Sequence, residues 1–174
     1  NGTLVRITAP GGGGKLWPAV SPDGSHIAWS QDMGDETPEL GGENFEIFTS
    51  TITGANVRRL TAFVGEDVAP YWISNDLLAW TRDAEDDAEV VVANWPSGAN
   101  QKVITLDEHG VAHPGNETQP GRSCRPGTVL ILSDHEGKTE VYAVDDGRGD
   151  SGLLGWVKVA SAAADIASAA VRCH

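Results

Sequence analysis

A serine acts as a nucleophile when a histidine takes its proton and an acid orients that histidine. Ser151 lies in a Gly-Asp-Ser-Gly run at residues 149–152, which overlaps an Arg-Gly-Asp tripeptide that begins at Arg148. The sequence has no matching histidine segment and no Gly-x-Ser-x-Gly nucleophile turn. We therefore predict that the chain is not an enzyme and that this run is a solvated loop.

Three other groups of residues suggest a metal or phosphate site but lack its geometry. His109 and His113 are four residues apart, but a glycine and a proline beside them disfavour the helix that would bring both imidazoles to one face for zinc. The four glycines before Lys15 lack the spacing and the following Ser or Thr of a phosphate loop. The acidic loops at 32–36 and 83–87 lack the spaced acids of a calcium loop. We predict solvated loops and no cofactor.

The cysteines and two glycosylation triplets bear on where the protein is located. Cys124 and Cys173 could form one disulfide closing a loop of about fifty residues, with a loop-entropy contribution of roughly 4 kcal/mol, or they could remain two thiols. Asn1 and Asn116 each begin an Asn-x-Thr triplet and are candidate glycosylation sites in a secreted protein. An even number of cysteines and an acidic, lysine-poor composition favour a secreted, cell-surface or periplasmic protein.

Size and charge limit the possible partners. The chain has 174 residues, the size of one domain, and 12 Lys and Arg against 25 Asp and Glu give a net charge of −13. This charge disfavours nucleic acid and anionic lipid as partners. The longest compact apolar stretch, Val129–Leu132, is much shorter than the roughly 18 residues of a spanning helix, so we predict no membrane span. Because the chain begins at Asn1, either a leader has been removed or the chain is part of a longer protein.

Internal repetition is the main architectural signal. Trp29 and Trp80 are 51 residues apart, and Leu132 follows Trp80 by 52 residues. The 21 glycines and 9 prolines divide the chain into short pieces, which favours strands over long helices. Three units of similar pattern are predicted, at about 17–61, 69–106 and 113–145.

Each unit has the composition of short antiparallel strands. It opens with an x-Pro strand start and a tight turn, of which the Ser-Pro-Asp-Gly run at Ser21–Gly24 is the clearest example. A later strand begins with an acidic residue before β-forming side chains, at Glu46, Glu89 and Glu140. The predicted strands are Leu4–Thr8, Trp17–Val20, His26–Ser30, Phe45–Ile52, Val57–Thr61, Pro70–Ile73, Leu77–Thr81, Ala88–Trp95, Lys102–Leu106, Val129–Ser133, Thr139–Val144 and Gly155–Ala160.

The tryptophans fall into two groups. Trp29 and Trp80 occupy the same face of equivalent strands and are predicted to be core residues. The other four lie near strand ends, where either a core position or a ligand or sugar surface is compatible with the pattern; they are Trp17, Trp72, Trp95 and Trp156.

The run Pro-x-x-Ser-Pro-Asp-Gly-x-x-Ile-Ala-Trp from Pro18 to Trp29, followed by Glu-Ile-Phe at Glu46 and a closing Leu-Thr at Leu60, resembles the TolB-like β-propeller repeat, a relative of the WD-type blade. The resemblance is strongest in the first unit and weakest in the third, and it covers about 125 of the 174 residues. It implies an all-β fold of about three four-stranded antiparallel blades, stacked face to face. It also implies a binding platform rather than a catalyst, and some propellers of this type adjoin the hydrolase domain of serine peptidases.

Three blades are fewer than the four to eight of a typical closed propeller, so we predict an incomplete ring or one closed by other chains. Leu4–Thr8 and Gly155–Ala160 each resemble the last strand of a blade. An open stack of sheets leaves apolar faces and unpaired edges at its ends, which favour association with other chains. The repeat domain is predicted to cover residues 1–159, with an Ala- and Ser-rich tail at 160–174.

These features lead to two functional hypotheses. The first is a non-catalytic extracytoplasmic structural or interaction protein that self-associates through open blade edges, as a dimer or as a filament. Other proteins or glycans are further possible partners. The alternative is the propeller domain of a larger periplasmic translocation protein or serine hydrolase, acting as a ligand-binding or gating platform.

Overall fold

The described residues form twelve β-strands in a computed structural model of the chain. The structure describes residues 6–8, 12–34, 44–84, 87–104, 117–122, 127–134, 138–145 and 156–161. The strands are β1 Lys15–Val20, β2 His26–Asp32, β3 Phe45–Thr51, β4 Arg58–Arg59, β5 Glu66–Ser74, β6 Leu77–Ala84, β7 Asp87–Asn94, β8 Ala99–Ile104, β9 Glu117–Arg122, β10 Thr128–Ser133, β11 Glu140–Asp145 and β12 Trp156–Ser161. Within these ranges there is no helix that is long and apolar enough to cross a membrane.

The strands form three four-stranded antiparallel sheets, each a simple meander of consecutive strands. The first sheet contains β1 to β4, the second β5 to β8 and the third β9 to β12. This confirms the predicted all-β fold of three four-stranded units. The central pairs of strands are the most regular; β2 and β3, for example, pair without interruption from His26 and Thr51 to Asp32 and Phe45.

The innermost strand of each sheet contains an x-Pro step that interrupts its pairing. Because proline has no amide hydrogen, it cannot donate to the ladder and is tolerated at an edge or bulge. The register shifts around Trp17-Pro18 in β1, around Ala69-Pro70 in β5 and around Gln119-Pro120 in β9. Trp17 and Ala69 share a positive φ, of 48° and 52°. The x-Pro start is therefore a structural repeat, present in all three sheets.

The sheets pack face to face in chain order through two apolar clusters. The first to second sheet cluster consists of Ala28, Ile47, Trp72, Leu78, Trp80, Val91 and Ala93, with Ala19, Leu60 and Trp95 at its border. The second to third sheet cluster consists of Leu77, Ala79, Val90, Val92, Val129, Ile131, Tyr142 and Val144, with Tyr71 and Ile73 at its border. Alternate residues of β6 and β7 enter opposite clusters, as expected for a sheet that is buried on both faces.

The third sheet differs from the sequence prediction in its first strand and in its register. β9 at Glu117–Arg122 was not predicted, because its sequence Glu-Thr-Gln-Pro-Gly-Arg has no apolar alternation. Ile131 rather than Leu132 occupies the position of Trp80: Ile131 pairs with Tyr142, as Trp80 pairs with Val91.

The terminal strand predictions have different outcomes. Residues 6–8 of the predicted strand Leu4–Thr8 are not in a strand, and residues 4 and 5 lie outside the described residues. The predicted strand Gly155–Ala160 corresponds to β12, which pairs with β11 and completes the third sheet. That sheet consequently ends at Ser161, beyond the predicted third unit at about 113–145.

Candidate interaction surface

Each sheet has an upstream face, toward the preceding sheet in chain order, and a downstream face, toward the following one. The pairing registers match residues between sheets: Val20 pairs with Ile27 as Trp72 pairs with Leu78. We call the upstream face of the first sheet the upstream surface. Its residues correspond to Trp72, Leu78, Trp80, Val91, Ala93 and Trp95 of the second sheet, and they are, in the same order, Val20, Ile27, Trp29, Phe48, Ser50 and Ile52.

The upstream surface is apolar and open at its rim. Val20 is 53% exposed, whereas Trp72 in the equivalent position is 3% exposed and lies between two sheets. Ile52, equivalent to Trp95, is 38% exposed. At the centre, the Trp29 ring is buried and stacks on Phe48 with their centroids 6.0 Å apart. The side chains that would contact a preceding sheet are therefore present, and those at the rim remain in solvent.

The downstream face of the third sheet, here called the downstream surface, is the second apolar face on which no other described sheet packs. It carries Leu130, Leu132, Val141 and Ala143, which alternate with the buried Val129, Ile131 and Tyr142 on the other face. Leu130, Leu132 and Ala143 are half-buried. The equivalents of Leu130 and Val141 in the second sheet are Ala79 and Val90, which are fully buried against the third sheet.

Hydrogen bonds across the first to second sheet interface show how one sheet aligns on another. The Ala69 amide donates to Ser30 Oγ at 3.1 Å, and the Trp72 indole donates to the Ala19 carbonyl at 3.1 Å. At the turns, the Asp23 amide donates to Asn75 Oδ1 at 3.1 Å. The first and second sheets are therefore held in a defined register by polar contacts as well as by apolar packing.

An aromatic cluster lies at one border of the same interface. The His26 ring is 4.3 Å from the Trp95 ring, and Trp95 is 5.4 Å from Trp72 in an edge-to-face arrangement. Trp72 is buried and Trp95 is half-buried, so both belong to the packing between sheets. Trp29 and Trp80, which were predicted to be core residues, are buried as well. Trp17 is the exception, since it is 48% exposed.

Two buried carboxylates hold the sheet edges together. Glu46 accepts hydrogen bonds from Arg59 Nη2 at 2.8 Å, from the Phe63 amide at 2.7 Å and from Thr61 Oγ1. These contacts tie β3 to the connection between the first and second sheets. Glu46 is the acidic residue of the repeat pattern, and the structure gives it this positioning role.

The second carboxylate, Asp67, lies at the start of β5 and is fully buried. It accepts from the Trp80 indole at 2.9 Å and from Arg82 Nε and Nη2 at 2.9 and 3.1 Å. The Arg82 guanidinium lies 4.2 Å from the centre of the Phe63 ring. Asp67 was not singled out from the sequence, because its partners lie 13 and 15 residues away and reach it only through the pairing of β5 with β6.

The predicted Ser21–Gly24 turn is formed and has a perturbed carboxyl group. Hydrogen bonds from Ser21 Oγ, from the Ser25 amide and from Ser25 Oγ lower the pKa of Asp23 from 3.8 to about 2. Gly24 has a φ of 72°, which this turn requires and which glycine adopts without a steric penalty. The equivalent turn of the second sheet repeats the contact, since Ser74 Oγ donates to Asp76.

Residues of β1 and β5 line two cavities of about 620 and 530 Å³, here together called the inner groove. Thr128 of β10 also lines the larger cavity, and residues of β6, β7 and β9 also line the smaller one. Trp17, Pro70, Asp83 and Pro120 are among the residues that line the smaller one. Among the described residues, there is no group of three or more His, Cys, Asp or Glu side chains that could hold a metal ion. The smaller cavity thus has apolar walls and one acidic group, Asp83.

The site residues predicted from the sequence all lie outside the described residues. They are the glycosylation candidates Asn1 and Asn116 and the disulfide candidates Cys124 and Cys173. The Gly-Asp-Ser-Gly run at 149–152 and the histidines His109 and His113 lie outside them as well. These assignments remain predictions.

Comparison with known proteins identifies the fold. No family model matches the chain, and no curated protein is matched by its sequence. Among solved structures, the chain is similar to a protein described as TolB from Agrobacterium tumefaciens, with a TM-score of 0.58 and 18% identity over 83% of this chain and 45% of that one. TolB from Acinetobacter baumannii gives a TM-score of 0.56 and 19% identity over 84% of this chain and 32% of that one.

A puromycin-hydrolyzing peptidase from Mycobacterium tuberculosis is similar to the same extent, with a TM-score of 0.56 and 17% identity over 84% of this chain and 23% of the peptidase. The chain therefore spans less than half the length of each of these three proteins. Together these similarities show that the three stacked sheets have a TolB-like β-propeller fold.

Proposed function

We propose that the chain is a non-catalytic, extracytoplasmic interaction protein that self-associates by stacking the downstream surface of one copy on the upstream surface of another. The observation that carries this proposal is the correspondence between the two surfaces and the interfaces inside the chain. The first sheet presents the face by which the second sheet contacts its predecessor, and the third sheet presents the face by which the second contacts its successor.

Such an interface is heterologous, because two different surfaces meet. If the rotation from sheet to sheet continues across the junction, two copies close a ring of six sheets, within the four to eight of known propellers. Nine sheets from three copies would exceed that range. If the rotation does not close, the same contact propagates as a filament.

The test is light scattering on single-surface variants. Val20→Glu places a carboxylate on the upstream surface, and Leu132→Glu does so on the downstream surface. Burying Val20, which is 53% exposed, contributes about 1–2 kcal/mol to association, so Val20→Glu should weaken it about 5- to 30-fold. Val64→Glu is the matched control, because Val64 is 63% exposed and lies on neither surface.

Mixing the two variants tests the head-to-tail geometry. Each variant alone lacks one partner surface, but a mixture restores one intact junction between the downstream surface of the Val20→Glu chain and the upstream surface of the Leu132→Glu chain. We expect a heterodimer of two 18.3 kDa chains in the mixture only. Association that is insensitive to both substitutions, or a wild-type chain that stays monomeric at high concentration, would contradict the proposal.

A second candidate function is the propeller portion of a larger translocation or hydrolase protein that binds a ligand in the inner groove. The chain spans only 45%, 32% and 23% of the three similar structures, and in longer proteins additional blades would cover both open surfaces within one chain. A monodisperse monomer, unaffected by Val20→Glu and Leu132→Glu, would favour this function over self-association.

A further inference from the structure

Two equivalent turns, one in the first sheet and one in the second, each contact a chain segment on the upstream side of their own sheet. In the second sheet, Gly98 in the β7–β8 turn has a φ of 69°, and a Cβ added there would lie 3.3 Å from both the carbonyl oxygen and Cδ1 of Leu60. In the first sheet, Gly54 in the β3–β4 turn has a φ of 82°, and a Cβ there would clash with the carbonyl oxygen of Ile7. Ile7 therefore lies against the first sheet where Leu60 lies against the second.

The sequence around these two contact residues is also equivalent. Leu60 directly follows β4, the outer strand of the first sheet, and precedes Thr61; its amide donates to the Ile47 carbonyl at 2.7 Å. Ile7 likewise precedes Thr8, but residues 6–8 are not part of a strand. Residues 6–8, which we call the strap, occupy the place of an outer strand of a preceding sheet.

A docked second copy would bring its own outer strand to this place. In the third sheet, Ala160 of β12 pairs with Val141 just as Leu60 is bonded to Ile47 in the first sheet. When the downstream surface of one copy stacks on the upstream surface of another, the end of β12 falls where the strap lies. The strap and β12 cannot both occupy this place. The Ile7 carbonyl already lies so close to Gly54 that a Cβ at residue 54 would clash with it.

On the basis of the proposed self-association, we infer that the strap is an autoinhibitory segment that covers the seat of β12 of a second copy and must leave before the two copies stack. The apparent dissociation constant is then the intrinsic constant divided by the fraction of chains with a displaced strap. Removing the strap raises that fraction to one.

The experiment compares the dissociation constants of the full chain and of the chain without residues 1–8, measured by light scattering or sedimentation over a concentration series. We expect removal to tighten association by about 5- to 150-fold, the usual range for coupling between two states. Ile7→Asp is a second variant that loosens the half-buried Ile7 side chain without shortening the chain, and it should shift association in the same direction.

Gly54→Ala should act in the same direction, because an added Cβ clashes with the Ile7 carbonyl of the strap, whereas in the equivalent contact between two sheets a Cβ at Gly98 lies 3.3 Å from Leu60 and requires only a small adjustment. Gly24→Ala is its matched control: Gly24 has a similar φ of 72° but no heavy atom within 4 Å of an added Cβ, so it carries the backbone strain without blocking anything. Circular dichroism checks that each variant is folded.

The outcomes separate this inference from the proposed function. If the full chain associates and both strap variants associate equally or more weakly, the strap inference is wrong and self-association stands. If no variant associates at any concentration, the proposed function itself is wrong. Tighter association of both strap variants, with tighter association of Gly54→Ala than of Gly24→Ala, supports the inference.

Discussion

Replacing Asp67 with alanine tests whether the buried carboxylate in the second sheet stabilises the stack. Asp67 is fully buried and accepts three hydrogen bonds, one from the Trp80 indole and two from Arg82. The substitution leaves the indole N–H of a fully buried side chain without its acceptor, which alone costs about 1–3 kcal/mol. It also leaves the Arg82 guanidinium, which is 16% exposed, without its counter-ion.

Removing one partner of a buried ion pair typically costs about 3–5 kcal/mol, and we expect Asp67→Ala to fall in that range. Asp67→Asn should cost less, about 1.5–3 kcal/mol, because its amide oxygen still accepts one or two of the bonds while the charge is lost. A domain of ordinary stability has about 5–15 kcal/mol in total, so the alanine variant would be near the limit of folding.

Urea unfolding followed by tryptophan fluorescence measures both changes, with the slope of the transition compared between variants. Asp83→Asn is the control, since Asp83 is an exposed acid on the neighbouring strand and its substitution should change stability by no more than about 0.5 kcal/mol. A loss below about 1 kcal/mol for Asp67→Ala, with an unchanged slope, would refute the assignment of this carboxylate as a major stabilising group.

Three further predictions concern titration, the first sheet and ionic strength. The Asp23 carboxyl should titrate near pH 2 by NMR, and Ser21→Ala should raise its pKa toward 3.8; because the folded-state pKa is depressed, its stabilising contribution is present above about pH 4 and lost as pH falls through 2. Glu46→Ala should destabilise the chain by about 3–5 kcal/mol in urea unfolding, since it removes the acceptor of Arg59 Nη2, of Thr61 Oγ1 and of the Phe63 amide; a loss similar to that of Asp83→Asn would contradict this. Self-association should strengthen between 0.1 and 1 M NaCl, where the Debye length falls from about 10 to 3 Å, because each copy carries a net charge of −13; weaker association at high salt would indicate that charge pairs, not apolar faces, form the contact.

The sequence allowed the first two sheets to be predicted because their apolar pattern alternates. Trp29 and Trp80 mark equivalent positions in equivalent strands, and the Ser21–Gly24 turn fixes the hairpin beside the first of them. In the third sheet the same reasoning matched Leu132 to Trp80, whereas Ile131, one residue earlier, occupies that position. Val129–Leu132 is apolar at every position, so alternation cannot distinguish its two faces, and a shift of one residue exchanges them.

Three features of the structure were harder to predict from the sequence: strand β9, the burial of Asp67 and the position of the strap. β9 was missed because its Glu-Thr-Gln-Pro-Gly-Arg sequence has no apolar residue, although its x-Pro step matches those of β1 and β5. The burial of Asp67 depends on Trp80 and Arg82, which are 13 and 15 residues away in the chain, and no local pattern marks that association. The sequence likeness of Leu4–Thr8 to an outer strand was visible, but its position against Gly54 required the structure.

One favourable and two unfavourable contributions determine when two copies would stack. The upstream and downstream surfaces favour contact because they carry apolar side chains, among them Val20, Ile52 and Leu132. Trp72, which is equivalent to Val20, is buried between two sheets of the same chain. The strap opposes contact by occupying the seat of β12, and the net charge of −13 opposes it by repulsion over a longer range. Salt acts on the repulsion alone and removal of residues 1–8 acts mainly on the strap, so the two perturbations should add in free energy. A strap-deleted chain in high salt is therefore the condition in which the stacked assembly should be most populated.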